Sequence, residues 1–369
     1  MTHTLKTGIT EYNDSITYMK AIGIILMVFM HCTSNFPNLR CFIYMFHMPL
    51  FFFIAGYCFK KSYLNAPSVF IRKKIKSIWW PCAKYCGIFA LLHNIFISLH
   101  IYTTKDIPGA IPVVVFSTDD LWVHFQQSLM MFYIEQLQGG NWFLSALFWG
   151  LILAFALLKL FSKYKYGSIL SAIIALVSIW PLNNAKPYMV YIPIYSQTFA
   201  ATFIILCGYI FSFYKVKTIP LAYSIFPIII TIIGSKWCFM ELCFQYYKGY
   251  YWGVYLLISV IAVWGLYSII YRIKDINFPS RIKHGIQQIL KYIGNNTLTI
   301  LIWHFSVFKL VSLLIILIYD LPIERLAEFP IINEYASKGW WVAYFLTSMI
   351  ITSCIAYLNK FIRSSWLKL

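Results

Sequence analysis

Lys20 and His31 lie eleven residues apart in one apolar stretch, Ser15-Ile-Thr-Tyr-Met-Lys20-Ala-Ile-Gly-Ile-Ile-Leu-Met-Val-Phe-Met-His31. At about 100° per residue, eleven steps overshoot three full turns by roughly 20°. Both side chains therefore share one helix face, about 16 Å apart along the axis. Lys20 is a fixed cation suited to an anionic group. His31 is an imidazole that exchanges a proton near neutral pH. A helix of this length and apolarity spans a bilayer, where ionisable groups are costly and mark a site or a pathway.

Three further groups of residues carry candidate chemistry. His47 and His304 lie inside apolar segments, Asn141-Trp142 opens another, and Arg72, Lys73 and Lys76 cluster in a basic segment between two of them. Counting helix rise from each segment's start sorts these groups by depth. His31 and His47 fall about 6 and 9 Å below the outer surface, with Asn141 and Trp142 in the same layer. Lys20 and His304 fall about 7 and 10 Å from the inner surface. A polar track through the membrane follows if these faces converge. Blander readings compete with it: a lysine that snorkels to the headgroups, and histidines that bond a neighbouring carbonyl as core glue. His93 and His100 have no partner motif and read as structural.

The elements that must position these residues follow from composition. Of 369 residues, 60% are hydrophobic and 11% charged, and mean hydropathy is +0.71. A soluble domain cannot bury that much apolar surface, so the chain reads as an integral membrane protein. The apolar runs are long and do not alternate, which favours helices over a barrel. Ten candidate spans emerge, at roughly 16–35, 41–59, 78–100, 139–160, 166–182, 196–214, 219–235, 251–271, 297–319 and 339–360. The first is full length and lacks a small-residue cleavage site, so it reads as a retained helix. With the N-terminus inside, twenty of the 30 Lys and Arg side chains fall on inner segments and seven on outer ones. Both termini are therefore expected in the cytoplasm. The net charge of +18 is thus mainly a topology signal, and nucleic-acid binding is a poor reading because the cations sit in short loops.

The chain reads as one domain, 1–369. Residues 60–77 form a basic inner loop. In the outer loop 101–138, Thr118-Asp119-Asp120 offers a helix start ahead of Leu121, Trp122, Phe125, Leu129 and Phe132. Residues 280–293 predict an amphipathic inner helix with Ile282, Ile286, Ile289 and Ile293 on one face. The nine Cys show no metal-ligand spacing. Cys32 with Cys41, and Cys238 with Cys243, are close enough to the outer face for a disulfide to form.

Taken in order, these motifs resemble the membrane acyltransferase-3 family, the O-acetyltransferases of surface polysaccharides. Lys20-x10-His31 is similar to the family's Arg/Lys-x10-His signature. Phe46-His-Met-Pro-Leu-Phe-Phe-Phe-Ile-Ala-Gly56-Tyr resembles its second-helix motif, and Lys73-Lys-Ile-Lys76 before Pro81 its basic inner loop. Asn141-Trp-Phe-Leu and Ile293-Gly-Asn-Asn-Thr-Leu-Thr-Ile-Leu-Ile-Trp-His304 resemble two later helices, so the likeness runs the length of the chain. There are departures: Thr17 stands where Asp is common, Ala55 where Ser is common, and Met30 replaces a frequent Gly.

The resemblance implies transfer of an acyl group, with acetyl expected, from cytoplasmic acyl-CoA to a sugar hydroxyl of a surface or lipid-linked glycan. No permanently bound cofactor is expected, and acetyl-CoA is the donor substrate. A hydroxyl is a poor nucleophile, and His31 fits as the base it needs. Lys20, with Arg72, Lys73 and Lys76, fits the donor's phosphates. An extended pantetheine arm matches the Lys20–His31 offset in length. His47 and His304 fit as residues that orient His31 or serve a second half-reaction, and Asn141 and Trp142 as contacts to substrate. Direct transfer and an acyl-His relay both remain open, and an exporter of polysaccharide or lipid-linked sugar is the competing reading. Such an exporter predicts broken helices in matching halves, and the chain lacks a matching Gly/Pro-interrupted pair.

Overall fold

The structure is a computed structural model that describes residues 3–184, 195–242, 251–273 and 280–366, with side chains over 14–181, 195–242, 251–273 and 282–362. Cys243 and the loop cations Lys186, Lys248, Lys274 and Lys368 lie outside the described residues. In chain order the helices are α1 His3–His31, α2 Pro37–Tyr44, α3 His47–Tyr57, α4 Pro67–Lys74, α5 Trp80–Leu91, α6 His93–Ser98, α7 Thr118–Leu129 and α8 Trp142–Leu160. They continue as α9 Gly167–Val177, α10 Ile179–Asn184, α11 Ser196–Phe213, α12 Ile225–Trp237, α13 Trp252–Ile273, α14 Ser280–Asn295, α15 Thr297–Tyr319, α16 Asn333–Tyr335 and α17 Trp341–Trp366. Among the described residues there is no strand, only two isolated bridges.

Among the described residues, seven segments are long and apolar enough to cross a membrane: Asp14–His31, Pro37–Tyr57, Gln136–Leu160, Ser196–Phe213, Trp252–Ile273, Thr297–Tyr319 and Asn333–Ile362. Two more expected spans form the shorter apolar helices Gly167–Pro181 and Leu221–Trp237. The stretch expected as one helix over 78–100 divides at Leu92 into α5 and α6. Local chemistry explains the other starts. Pro67 occupies the first turn of α4, where its missing N–H costs nothing. Ser117 caps α7 by accepting from the Asp120 N–H, while Asp120 accepts from the Ser117 N–H, as the Thr118-Asp119-Asp120 pattern predicts. On α14, Ile282, Ile286 and Ile289 are exposed together, whereas Ile293 is buried.

The chain forms two compact units interleaved in sequence, and α1 supplies its first part to one and its last part to the other. The first unit comprises Met1–Gly23, Asn38–Pro81 and Trp142–Asn295. Its centre is the close approach of α3 and α11. A Cβ on Gly56 would collide with the Ile205 carbonyl, and one on Gly208 with the Phe53 carbonyl, so only glycine permits this backbone contact. Leu50, Phe52, Ile204 and Leu256 fill the core around it. Lys291 of α14 pairs with Asp14 of α1 at 2.7 Å.

The second unit comprises Ile24–Pro37, Cys82–Asn141 and Asn296–Leu369. There α15 pairs with α17, and the buried Tyr344 hydroxyl bonds Ser312 at 2.8 Å and accepts from the Ile332 N–H. The end of α1 packs on α17 through Phe29, whose ring meets Trp341 edge-on at 5.5 Å. A 3₁₀ turn, Gln136–Asn141, lies along α15. Cys32 and Cys41 are both free thiols, so that possible pairing does not form, and the possible Cys238–Cys243 pairing lies outside the described residues.

Candidate active site

His31 ends α1 and is half-buried, while His304 lies in the eighth position of α15 and is fully buried. Their rings are nearly parallel, and His31 Nδ1 is 3.1 Å from His304 Nε2. His304 Nδ1 is 2.8 Å from the Leu301 carbonyl oxygen. These contacts assign the tautomers. A carbonyl only accepts, so His304 Nδ1 carries a hydrogen and Nε2 carries a lone pair. That lone pair accepts from His31 Nδ1–H, which leaves the His31 lone pair on Nε2. A peptide carbonyl, one imidazole and a second imidazole thus form a directed chain that makes His31 a base at Nε2.

Aromatic and backbone groups hold this chain in place. The Phe305 ring stacks on His31 at 4.9 Å and lies 3.9 Å from His304. Phe329 in turn lies 4.9 Å from Phe305. Lys309, buried on α15, donates to the Leu326 and Glu328 carbonyl oxygens at 2.8 and 2.7 Å and so fastens the segment that carries Phe329. The turn Gln136–Asn141 closes the other side. A Cβ on Gly140 would stand 3.3 Å from His304 Cε1 and 3.1 Å from Leu301 Cδ1. Gln138 donates to the Ile302 carbonyl oxygen at 3.2 Å and accepts from Asn141 Nδ2 at 2.7 Å. Among the described residues, buried Asn141 Oδ1 has no hydrogen-bond partner.

Residues 13–363, nearly the whole chain, match the family described as an acyltransferase domain, acyltransferase-3. The chain belongs to the acyltransferase-3 family. Comparison with curated proteins and with solved structures returns no match. Family membership makes the protein a membrane acyltransferase and favours acyl transfer over the exporter reading.

Among the residues singled out from sequence, the acyltransferase brings His304 to His31. His304 is corrected most. Depth counting puts it level with Lys20, yet it touches His31. Counting assumes that every span starts in one plane, whereas tilt and offset between helices shift that origin by whole turns. His47 is buried in the first unit, with Nδ1 3.1 Å from the Ile43 carbonyl oxygen and its ring 4.7 Å from Tyr44. Trp142, the first residue of α8, is half-buried against Phe143.

The basic residues also sort themselves. Arg72 and Lys76 are exposed, and Lys73 donates to the Tyr63 hydroxyl at 3.1 Å. Half-buried Lys20 and Lys74 both lie within electrostatic reach of the Cys58 thiol. Burial and then the neighbouring Lys73 push the Lys74 ammonium below its ordinary range. Lys74 is absent from the residues singled out by sequence, although it stands in the same basic run. Gln138 and Gly140 are absent too; their only sequence signal is the polar Gln-Leu-Gln-Gly-Gly run before Asn141.

Proposed function

We propose that this membrane acyltransferase moves an acyl group, acetyl being the expected one, from cytoplasmic acyl-CoA to a hydroxyl of a surface or lipid-linked glycan. The observation that carries the reading is the Leu301 carbonyl–His304–His31 chain. In direct transfer, His31 Nε2 takes the proton of the acceptor hydroxyl as its oxygen attacks the thioester carbonyl. The C–S bond then breaks, and the proton returns from His31 to the departing thiolate. His304 acts through His31: its Nε2 lone pair supports the charge that His31 gains in the transition state. Direct transfer accounts for this arrangement without a covalent acyl-His intermediate.

Lys20 fits the donor's phosphates at the inner end of the same α1 face, and Lys74 is a better second cation than the exposed Arg72 and Lys76. Asn141 fits a contact to substrate, because its unpartnered oxygen seeks a donor. The reading extends to the cell membrane, with ten crossings or near-crossings and both termini cytoplasmic, on the strength of the loop cations.

Mass spectrometry of surface glycans tests it. Replacement of wild-type protein by His31→Ala should remove one acetyl mass per modified unit, with expression and membrane insertion near normal. A general base contributes about 10²–10⁴-fold in rate. Wild-type acetylation in that strain, at matched protein level, would exclude His31 from the mechanism.

A further inference from the structure

A second buried cluster in the same unit lies outside the site just described. His93 and Glu135 are 1% and 2% exposed, with His93 Nδ1 2.9 Å from Glu135 Oε1. His93 Nε2 faces the Val114 carbonyl oxygen at 2.9 Å, and the Phe116 ring stacks on the imidazole at 3.8 Å. Val114 O can only accept, so Nε2 carries a hydrogen. One proton is therefore shared between His93 Nδ1 and the Glu135 carboxyl group, whose Oε1 also accepts from the Tyr133 hydroxyl at 3.0 Å.

This pair is tied to the catalytic imidazoles through the 3₁₀ turn. The Glu135 carbonyl oxygen accepts from the Gln138 N–H at 2.8 Å. The Tyr102 hydroxyl accepts from the Leu137 N–H at 3.2 Å, and the Tyr102 ring packs 5.5 Å from His93. Two successive amides of the turn thus bond Glu135 and a tyrosine packed on its partner His93. The turn then delivers Gln138 to the Ile302 carbonyl and Gly140 to the Cε1 edge of His304. A side chain at that edge would press on the imidazole, so the glycine leaves the ring its place beside Leu301 and His31.

We infer that Glu135, held by its hydrogen bond to His93, is a positioning residue for the His304–His31 pair. The same pair fastens the outer loop. His93 holds Val114, Asn94 bonds Phe116 at both its N–H and its carbonyl, and Thr103 accepts from the Val113 N–H. The exposed Lys105 sits inside the segment so closed. This inference rests on the acyl-transfer reading given above.

The test compares His93→Gln, Glu135→Gln and the double variant in membranes supplied with labelled acetyl-CoA and the cell's own glycan. Each single change leaves one buried polar partner without its matched hydrogen bond, whereas the double variant keeps two amides that can bond each other. Each single variant should lose roughly 100-fold in kcat through misplacement of the base. The acetyl-CoA KM should stay within about two-fold, since the donor's binding groups are untouched. Trypsin should cut faster at Lys105 in both singles. The double variant should recover most of the kcat and the resistance at Lys105. Faster cutting with unchanged kcat would overturn the inference by reducing the pair to a loop fastener, as would a double variant no better than either single. Absence of transfer in the wild-type protein would overturn the acyl-transfer reading as well, whereas active wild type with unaffected singles would overturn the positioning role alone.

Discussion

Replacing His304 with alanine isolates what the second imidazole contributes. In the resting protein the His31–His304 contact is a neutral hydrogen bond, with a net value of about 1 kcal/mol. As His31 takes the acceptor's proton it becomes imidazolium, and the same Nδ1–H donates from a charged group. Such a bond is worth about 1.5–3 kcal/mol. His304→Ala removes it and also frees the His31 tautomer that the Leu301 carbonyl imposes through His304. The expected loss in kcat follows the difference of about 0.5–2 kcal/mol between the two states and is roughly 2–30-fold, with the acyl-CoA KM little changed because the bond strengthens only on the way to the transition state. The variant also leaves a cavity in a fully buried position, so protein level must be matched and thermal stability measured alongside. The assay is transfer of labelled acetyl from acetyl-CoA to membrane glycan by His304→Ala, His31→Ala and the double variant. Because both imidazoles act as one unit, the double variant should be no worse than His31→Ala. Multiplied losses, or a His304→Ala enzyme with normal kcat, would refute the support of His31 by His304 and return His304 to the role of a packed core histidine.

Lys20→Gln should raise the acyl-CoA KM by roughly 10–150-fold, the range for a lost charged contact in a partly dry site, while Lys20→Arg keeps much of the activity; an unchanged KM in Lys20→Gln would leave this lysine as a snorkelling side chain. Gly140→Ala should lower kcat by about 10-fold at normal protein yield, because the new methyl forces the His304 edge or Leu301 to shift by a few tenths of an ångström. Gly139→Ala, whose Cβ would meet only Phe305 and Phe329 at 3.7 and 4.0 Å, should stay near wild type, and equal kinetics for the two variants would count against contact at His304 as a determinant of rate.

Much of this protein is legible along the chain. Composition and unbroken apolar runs demand membrane helices, since backbone polar groups in lipid must be satisfied within a segment. The eleven-residue spacing of Lys20 and His31 places both on one face because α1 runs unbroken from His3 to His31. Capping chemistry predicts α7, and the Ile spacing predicts the apolar stripe of α14. The family signature follows from the same local order of motifs. Periods and caps are properties of neighbouring residues, so a sequence displays them directly.

What brings His304 to His31 is of another kind. The two residues are 273 positions apart, and their meeting depends on the offset and tilt with which α1 and α15 pack, which no local pattern encodes. The same holds for Gln138 and Gly140. An unremarkable polar turn becomes the back wall of the site because it lies along α15. It holds for His93, which looks partnerless in sequence because Glu135 and Val114 reach it from separate parts of the segment 101–138. The types of side chain available for chemistry were set by the sequence alone. Which imidazole supports which, and which nitrogen is left basic, was decided by tertiary packing, because hydrogen-bond direction depends on a few ångströms of placement between segments remote along the chain.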